Sequence, residues 1–162
     1  MKLYIKQKVF SFKDRFTIAD ENEEVVYTVE GKVFSLGKKL KVFDANGEEV
    51  ASIEEKVLSF RPRYYINIPG RDEITVHKKF SFKPKYVIEG SDWMLQGDFF
   101  EHNYGIVEGS EPVMNLTKKW FTWGDSYELD IEHKDDMLLS VCIVLVVDAC
   151  LDSEAAAASS AA

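Results

Sequence analysis

The sequence predicts a mainly-β fold: a closed barrel of antiparallel strands with a hydrophobic C-terminal α-helix through its centre. Three observations predict it. A short phrase recurs, as Lys8-Val9-Phe10-Ser11-Phe12, Lys32-Val33-Phe34-Ser35-Leu36, Lys56-Val57-Leu58-Ser59-Phe60, Lys78-Lys79-Phe80-Ser81-Phe82 and a degenerate Lys118-Lys119-Trp120-Phe121-Thr122. Recurrence at a spacing of roughly 20–50 residues marks one supersecondary unit used repeatedly, and alternation of aromatic and polar residues without a helical period makes the unit strands. Turn signals return about every ten residues, the rhythm of a meander in a sandwich or barrel. Residues 137–151, in contrast, are an almost unbroken apolar run.

The elements follow in order. From residue 2 the chain alternates, with Leu3, Ile5 and Val9 on one face; Phe16 and Ile18 continue the pattern after Lys13-Asp14. Asp20-Glu21-Asn22-Glu23-Glu24 is a polar hairpin turn and residues 25–29 the next strand. Gly31, Gly37 and Asn46-Gly47 punctuate the strands after it. Asn-Gly supplies the positive φ angles of a tight hairpin turn, here between Leu40-Lys41-Val42-Phe43 and Val50-Ala51-Ser52-Ile53. Further turns are expected at Pro69-Gly70-Arg71-Asp72 and over residues 107–112, and Gly124-Asp125 should break a strand that begins at Trp120.

Residues 137–151 are too long for an ordinary strand, and Asp135 and Asp136 stand where an N-cap and first-turn acids belong. A helix that is apolar all round must be buried on every side. At about 22 Å it falls short of the roughly 30 Å of a bilayer core, and Asp148 shortens the clean stretch further. A helix buried by protein is the better reading, with a membrane anchor as the alternative. Such a helix needs an apolar sleeve, and closing a sheet into a barrel supplies one while removing exposed strand edges. The expected organisation is a single domain over residues 1–152, its helix at about 136–151. Residues 153–162 form an Ala/Ser tail that either extends the helix or frays.

Composition fits a globular domain, with 46% hydrophobic, 30% charged and 13% aromatic residues in 162. The net charge of −8 is uneven: residues 61–89 carry seven Lys/Arg against three Asp/Glu, and residues 90–162 three against fourteen. So acidic a chain is a poor general nucleic-acid binder, because phosphate contacts need a positive face. Cys142 and Cys150 lie in the apolar run and read as buried small side chains rather than a disulfide. The first residues, with their scattered charges, lack an apolar core of signal-peptide length. A cytoplasmic location is expected.

Met1-Lys2-Leu3-Tyr4-Ile5-Lys6-Gln7-Lys8-Val9-Phe10-Ser11, then Phe82-Lys83-Pro84-Lys85-Tyr86 with Ile88-Glu89-Gly90, then Lys118-Lys119-Trp120-Phe121-Thr122-Trp123-Gly124-Asp125, and the closing apolar run to Val147-Asp148 form an ordered set. In these the chain resembles a bacterial member of the LOR family, in the Tubby C-terminal-like superfamily, over residues 1–151. The resemblance implies a twelve-stranded barrel around a central hydrophobic helix, in agreement with the sleeve argument, and implies no reaction. The superfamily includes Tubby domains, which bind phosphoinositides, and phospholipid scramblases, which act at membranes. Fold-level analogy is a weak warrant for function.

The best candidate site is a basic pair of repeats. In Arg61-Pro62-Arg63-Tyr64-Tyr65 and Lys83-Pro84-Lys85-Tyr86 two cations flank a proline and an aromatic follows. If the two repeats pack as neighbours, Arg61, Arg63, Lys83 and Lys85 converge on one face, where guanidinium forks and ammonium charges suit phosphate oxygens. Since bacteria as a rule lack phosphoinositides, the expected ligand is an anionic lipid head group or another phosphorylated molecule, with peripheral membrane contact. The plainer reading, prolines at strand edges and solvated cations, carries more weight on sequence alone.

Other chemistry is thinner. His77, His102 and His133 share no metal-ligand spacing, and CxxC, G-x-S-x-G and phosphate-cradling glycine loops are missing. Ser11, Ser35, Ser59 and Ser81 recur with the structural phrase and read as turn or strand-edge residues. Asp125, Glu128, Asp130, Glu132, Asp135 and Asp136 bring calcium to mind through the scramblase relatives, but they do not follow an EF-hand pattern. Glu128, Asp130 and Glu132 read as the wet face of a strand whose Leu129 and Ile131 face in. The sequence thus predicts a non-enzymatic cytoplasmic binding or scaffold module without cofactor or metal. The alternative is a membrane-associated, scramblase-like protein that uses its C-terminal helix.

Overall fold

Residues two apart on a strand share a face, and along this chain the apolar ones face a common interior. The structure, a computed structural model, describes residues 1–6, 15–34, 37–57, 60–121 and 124–161. Leu3 and Ile5 are buried from β1 (Lys2–Lys6), Phe16 and Ile18 from β2 (Arg15–Ala19), and Tyr27 and Val29 from β3 (Val25–Phe34). Leu40 and Val42 follow from β4 (Gly37–Asp44), Ala51 and Ile53 from β5 (Glu49–Glu55), and Tyr64 and Ile66 from β6 (Arg63–Asn67). Ile74 and Val76 of β7 (Ile74–Lys79), Tyr86 and Ile88 of β8 (Lys85–Glu89), and Trp93 of β9 (Trp93–Asp98) continue the lining. β10 (Asn103–Glu108), β11 (Glu111–Phe121) and β12 (Gly124–Ile131) complete it with Ile106, Leu116 and Leu129.

The strands form one twelve-stranded sheet in the order β8-β7-β6-β5-β4-β3-β2-β1-β12-β11-β10-β9. The first strand meets the last: Lys2 lies opposite Asp130 and Lys6 opposite Ser126. The expected closed barrel is in fact near-closed. Among the described residues β8 and β9 share no ladder, although only Gly90, Ser91 and Asp92 separate them. Side chains close the far end of that seam, where Phe99 packs edge-on against Tyr86 with centroids 4.9 Å apart, and against Tyr104 at 4.9 Å.

Two turns show the local chemistry. Asp44 Oδ1 accepts from the Asn46 and Glu48 amides at 2.9 and 3.0 Å, and Gly47 takes a φ of 83°. Asp20 Oδ1 does the same for Asn22 and Glu24 at 2.8 and 3.0 Å, with Glu23 at φ 63°. Other expectations need correction. Gly31 is no break, since β3 runs through it and pairs it with Leu40. Trp120 does not begin a strand but stands near the end of β11, opposite Asp125.

A 3₁₀ turn over Lys134–Asp136 leads into α1 (Met137–Ala161). Asp135 and Asp136 thus belong to that turn rather than to the first turn of the α-helix. Val141 through Val147 are at most 2% exposed, and Ala149 and Cys150 are fully buried. A strand could not turn all these side chains inward together, so the barrel overrides the β-branched preference of the run. The helix extends past the expected 136–151 through Ser153 and Glu154 into the Ala/Ser segment. Lys38 Nζ donates to Ser153 Oγ at 2.5 Å and Lys78 pairs with Glu154, fixing the added turn to the wall. No helix among the described residues is long and apolar enough to cross a membrane.

Val144→Asp should unfold the domain, because an unpaired charge in this sleeve costs more than about 4 kcal/mol. Loss of the cooperative thermal transition is the expected readout; a soluble variant with an unchanged melting curve would refute the central-helix arrangement.

Candidate functional site

The basic repeats lie on the outer wall, at one end of the ribbon formed by β6, β7 and β8. They are not direct neighbours: β7 runs between them and contributes a cation of its own. Arg63 stands opposite His77, and two residues further along β7 Lys79 stands opposite Lys85. The Lys78 amide donates to the Pro62 carbonyl at 3.0 Å, which carries the pairing past the start of β6 and brings Arg61 to the level of Lys79. The Lys56 amide donates to the Arg63 carbonyl at 2.8 Å. Lys56, Arg61, Lys79, Lys83 and Lys85 are all exposed, and Arg63 is half-buried. Lys56 and Lys79 belong to this group as much as the four residues chosen from sequence. Their signal was present in the repeated phrases, where Lys56 is the first residue of one and Lys79 the second of another.

Strand pleating sorts these cations by role. Lys78 points inward and meets Glu154 of the helix, while its neighbours His77 and Lys79 point outward. Arg63 Nη1 lies 3.8 Å from Glu89 Oε2, and His77 Nε2 lies 3.0 Å from Glu89 Oε1. The Arg61 guanidinium sits 5.3 Å from the centre of the Phe80 ring. Elsewhere on the wall cations face acids across strands, as in Lys39–Glu54 at 2.8 Å and Lys41–Glu49 at 3.2 Å. Lys56, Lys79, Lys83 and Lys85 have no acidic partner within 4.0 Å among the described residues. This is a face that can receive an anion.

Residues 61–63 and 83–85 behave in part as the plainer reading holds. Pro62 and Pro84 do stand just outside strand starts, where a missing N–H costs no ladder bond. Ser81 lies in the bend between β7 and β8. Ser11, Ser35 and Ser59, with the whole of the first repeat phrase, lie outside the described residues.

The other candidates are tied into the fold. Glu128 accepts from Tyr4 Oη at 3.1 Å and pairs with Lys2 at 3.4 Å, and Asp130 lies 3.7 Å from the N-terminal ammonium. Leu129 and Ile131, which alternate with them, are fully buried. Among the described residues no group of three His, Cys, Asp or Glu is placed to hold a metal ion. His102, at φ 52° in the β9–β10 connection, stacks on Tyr127 at 4.8 Å. Its pKa is lowered by burial and by Lys118, so its ring is neutral near pH 7. His133 is exposed at the start of the 3₁₀ turn and makes no side-chain cap. A cleft of about 630 Å³ beside β1 and β2 is lined by Tyr4, Lys6, Arg15, Thr17 and Asp20, with no Ser, Cys or His among the described residues. Cys142 and Cys150 are unpaired and buried, and burial pushes each thiol up to about 12.

Residues 1–148 match the family model LOR, LURP-one-related. The chain belongs to the LOR family. It is also similar to the "Uncharacterized protein YxjI" of Bacillus subtilis (strain 168), with 43% identity over 149 residues that cover 91% of this chain and 92% of the relative. A protein of Arabidopsis thaliana solved by X-ray methods superposes with a TM-score of 0.62 at 19% identity, over 91% of this chain and 88% of that one. At that identity the likeness speaks for the fold alone. A LOR-family barrel suggests a binding module, and these comparisons name no ligand for it.

Beneath the basic end the helix carries a strained acid. Burial pushes the Asp148 carboxyl up to about 7, and Asp152 adds repulsion. A carboxyl whose folded pKa lies above its unfolded value favours folding when protonated. Its contribution is therefore greatest below about pH 4 and is lost as the pH rises through 7. Asp148→Asn should raise stability by roughly 1–3 kcal/mol at pH 8 and leave it little changed at pH 4. Thermal melts at the two pH values decide; equal gains at both would show that Asp148 is not the titrating group.

Proposed function

We propose that this LOR-family barrel is a non-enzymatic cytoplasmic binding module, and that its ligand is an anionic lipid head group or a phosphorylated molecule held on the outer face of β6–β8. The observation that carries this reading is the cross-strand pair Lys79–Lys85. Like charges directly opposite on a sheet are destabilising, and the fold keeps this pair without an acid between them. An anion arriving there relieves that repulsion. Arg61 stands at the level of Lys79 on the next strand and Lys83 two residues before Lys85, so a phosphate group meets several donors at once.

The scramblase-like alternative asks the helix to leave the barrel. The complete burial of residues 141–147 weighs against it, because extraction would bare the helix and the whole lining to water. Two unpaired cysteines fit a reducing compartment.

The test is co-sedimentation with anionic and neutral vesicles at physiological salt, with a parallel titration by inorganic phosphate for the soluble arm. Each cation near an anionic surface contributes about 1 kcal/mol. Reversing Arg61, Arg63, Lys83 and Lys85 to Glu should therefore weaken binding by roughly a hundredfold or more at an unchanged melting temperature. Binding that survives the reversal would remove this site. Glu89→Gln frees Arg63 from its ion pair and should tighten binding by about twofold to fivefold; weaker binding in that variant would show that Glu89 organises the ligand rather than competing with it.

A further inference from the structure

Side chains that a folded protein leaves fully in water, and that are large and apolar, mark a surface meant to be covered. Three such residues stand at one end of this barrel. Phe60 is 108% exposed, Phe80 85% and Phe82 108%. Phe60 belongs to the β5–β6 connection and the other two to the β7–β8 connection. In an antiparallel meander alternate connections fall at the same end, so these tips project together. Phe100, 62% exposed in the β9–β10 connection, stands at that end as well.

The opposite end is of another kind. Its turns carry Asp20, Glu21, Glu23 and Glu24, then Asp44, Glu48 and Glu49, then Asp72 and Glu73. Lys56, Arg61, Lys79, Lys83 and Lys85 lie with the phenylalanines. The charge that is uneven along the sequence is thus uneven in space: the β5–β8 sector of one rim is basic and aromatic, with Glu101 beside Phe100 further round, and the opposite rim is mostly acidic, with Arg71 among its acids. A chain of net charge −8 would be repelled by an anionic surface as a whole. Its charge separation turns one end toward such a surface and the other away.

We infer that the rim bearing Phe60, Phe80 and Phe82 docks on an anionic bilayer, its rings entering the head-group boundary while the surrounding cations meet lipid phosphates. The inference rests on the anionic-ligand reading above and narrows it from a phosphate group to a membrane surface and an orientation. Two features argue for a bilayer over a soluble phosphate or a protein groove. The rings are carried on two loop tips, Phe60 on one and Phe80 with Phe82 on the other, and all three stand out into solvent, which suits a fluid, planar partner. The cations stand beside the tips on the same stretch of the sheet, the arrangement by which basic and apolar groups share an interface between water and acyl chains. Arg61 over Phe80 presents both kinds of group at one point.

The structure allows a clean test. Cys142 and Cys150 are 0% exposed, so a thiol-reactive, polarity-sensitive dye goes to a single engineered cysteine. Phe82→Cys places the dye on the rim and Asn46→Cys places it on an acidic turn. With vesicles of phosphatidylglycerol and phosphatidylcholine, the dye at residue 82 should shift to the blue and be quenched by brominated acyl chains. The dye at residue 46 should do neither. With phosphatidylcholine alone both should stay in water. In parallel, replacing Phe60, Phe80 and Phe82 together by Ser should lower vesicle binding by roughly tenfold or more at an unchanged melting temperature, since none of the three is buried in the fold. If the protein sediments with anionic vesicles in a salt-sensitive way while the dye at residue 82 stays in water, the insertion is overturned and the head-group reading stands. If vesicles are not bound and inorganic phosphate is, the membrane is overturned and the anion site stands. A dye that enters from residue 46 overturns the orientation.

Discussion

The structure depends on burying a helix that has no polar face. Val141 through Val147 offer water no side on which they can be tolerated, so the sheet must surround them. That demand explains the alternation of the strands, each giving one face to the helix and the other to solvent. It also explains why β1 returns to β12. An open sheet would cover half the helix and leave the rest bare, together with two long strand edges.

Enclosure has a boundary problem at the mouth, where the helix ceases to be apolar. Asp148, Asp152 and Glu154 appear there, and the wall answers with inward-pointing Lys38 and Lys78. Pleating then sends the adjacent cations outward. The inner set is spent on the helix and the outer set faces solvent. One short run, His77-Lys78-Lys79, supplies both by alternating sides of a single strand.

Much of this architecture was legible in residue order. Leu3 and Ile5, Phe16 and Ile18, and Leu129 and Ile131 all face in as their alternation requires. Asn46-Gly47 turns where its φ preference demands. Pairing register was not legible. Nothing in Lys83-Pro84-Lys85 says that Lys85 will face Lys79, or that Glu89 will reach back to Arg63, because those relations depend on how three strands align. The seam between β8 and β9 was hidden for the same reason, since a three-residue connection ordinarily reads as a paired hairpin. The Ala/Ser tract left extension and fraying both open; Ser153 and Glu154 find partners on the wall, which favours extension, and partners on distant strands cannot be read from a local tract.

The position of the helix after all twelve strands has a consequence for synthesis. The chain leaves the ribosome one end first, and every strand emerges before the element it must pack against exists. The first strand waits for a partner more than a hundred residues downstream. Contacts that distant form slowly, and the unfilled sheet meanwhile shows its apolar face to the cell. The domain is therefore expected to gain its native form only after translation has passed the helix, in a late step that closes the sheet and fills it together. A truncation that removed the helix would leave a sheet with nothing to fold around, a natural client for chaperones and proteases.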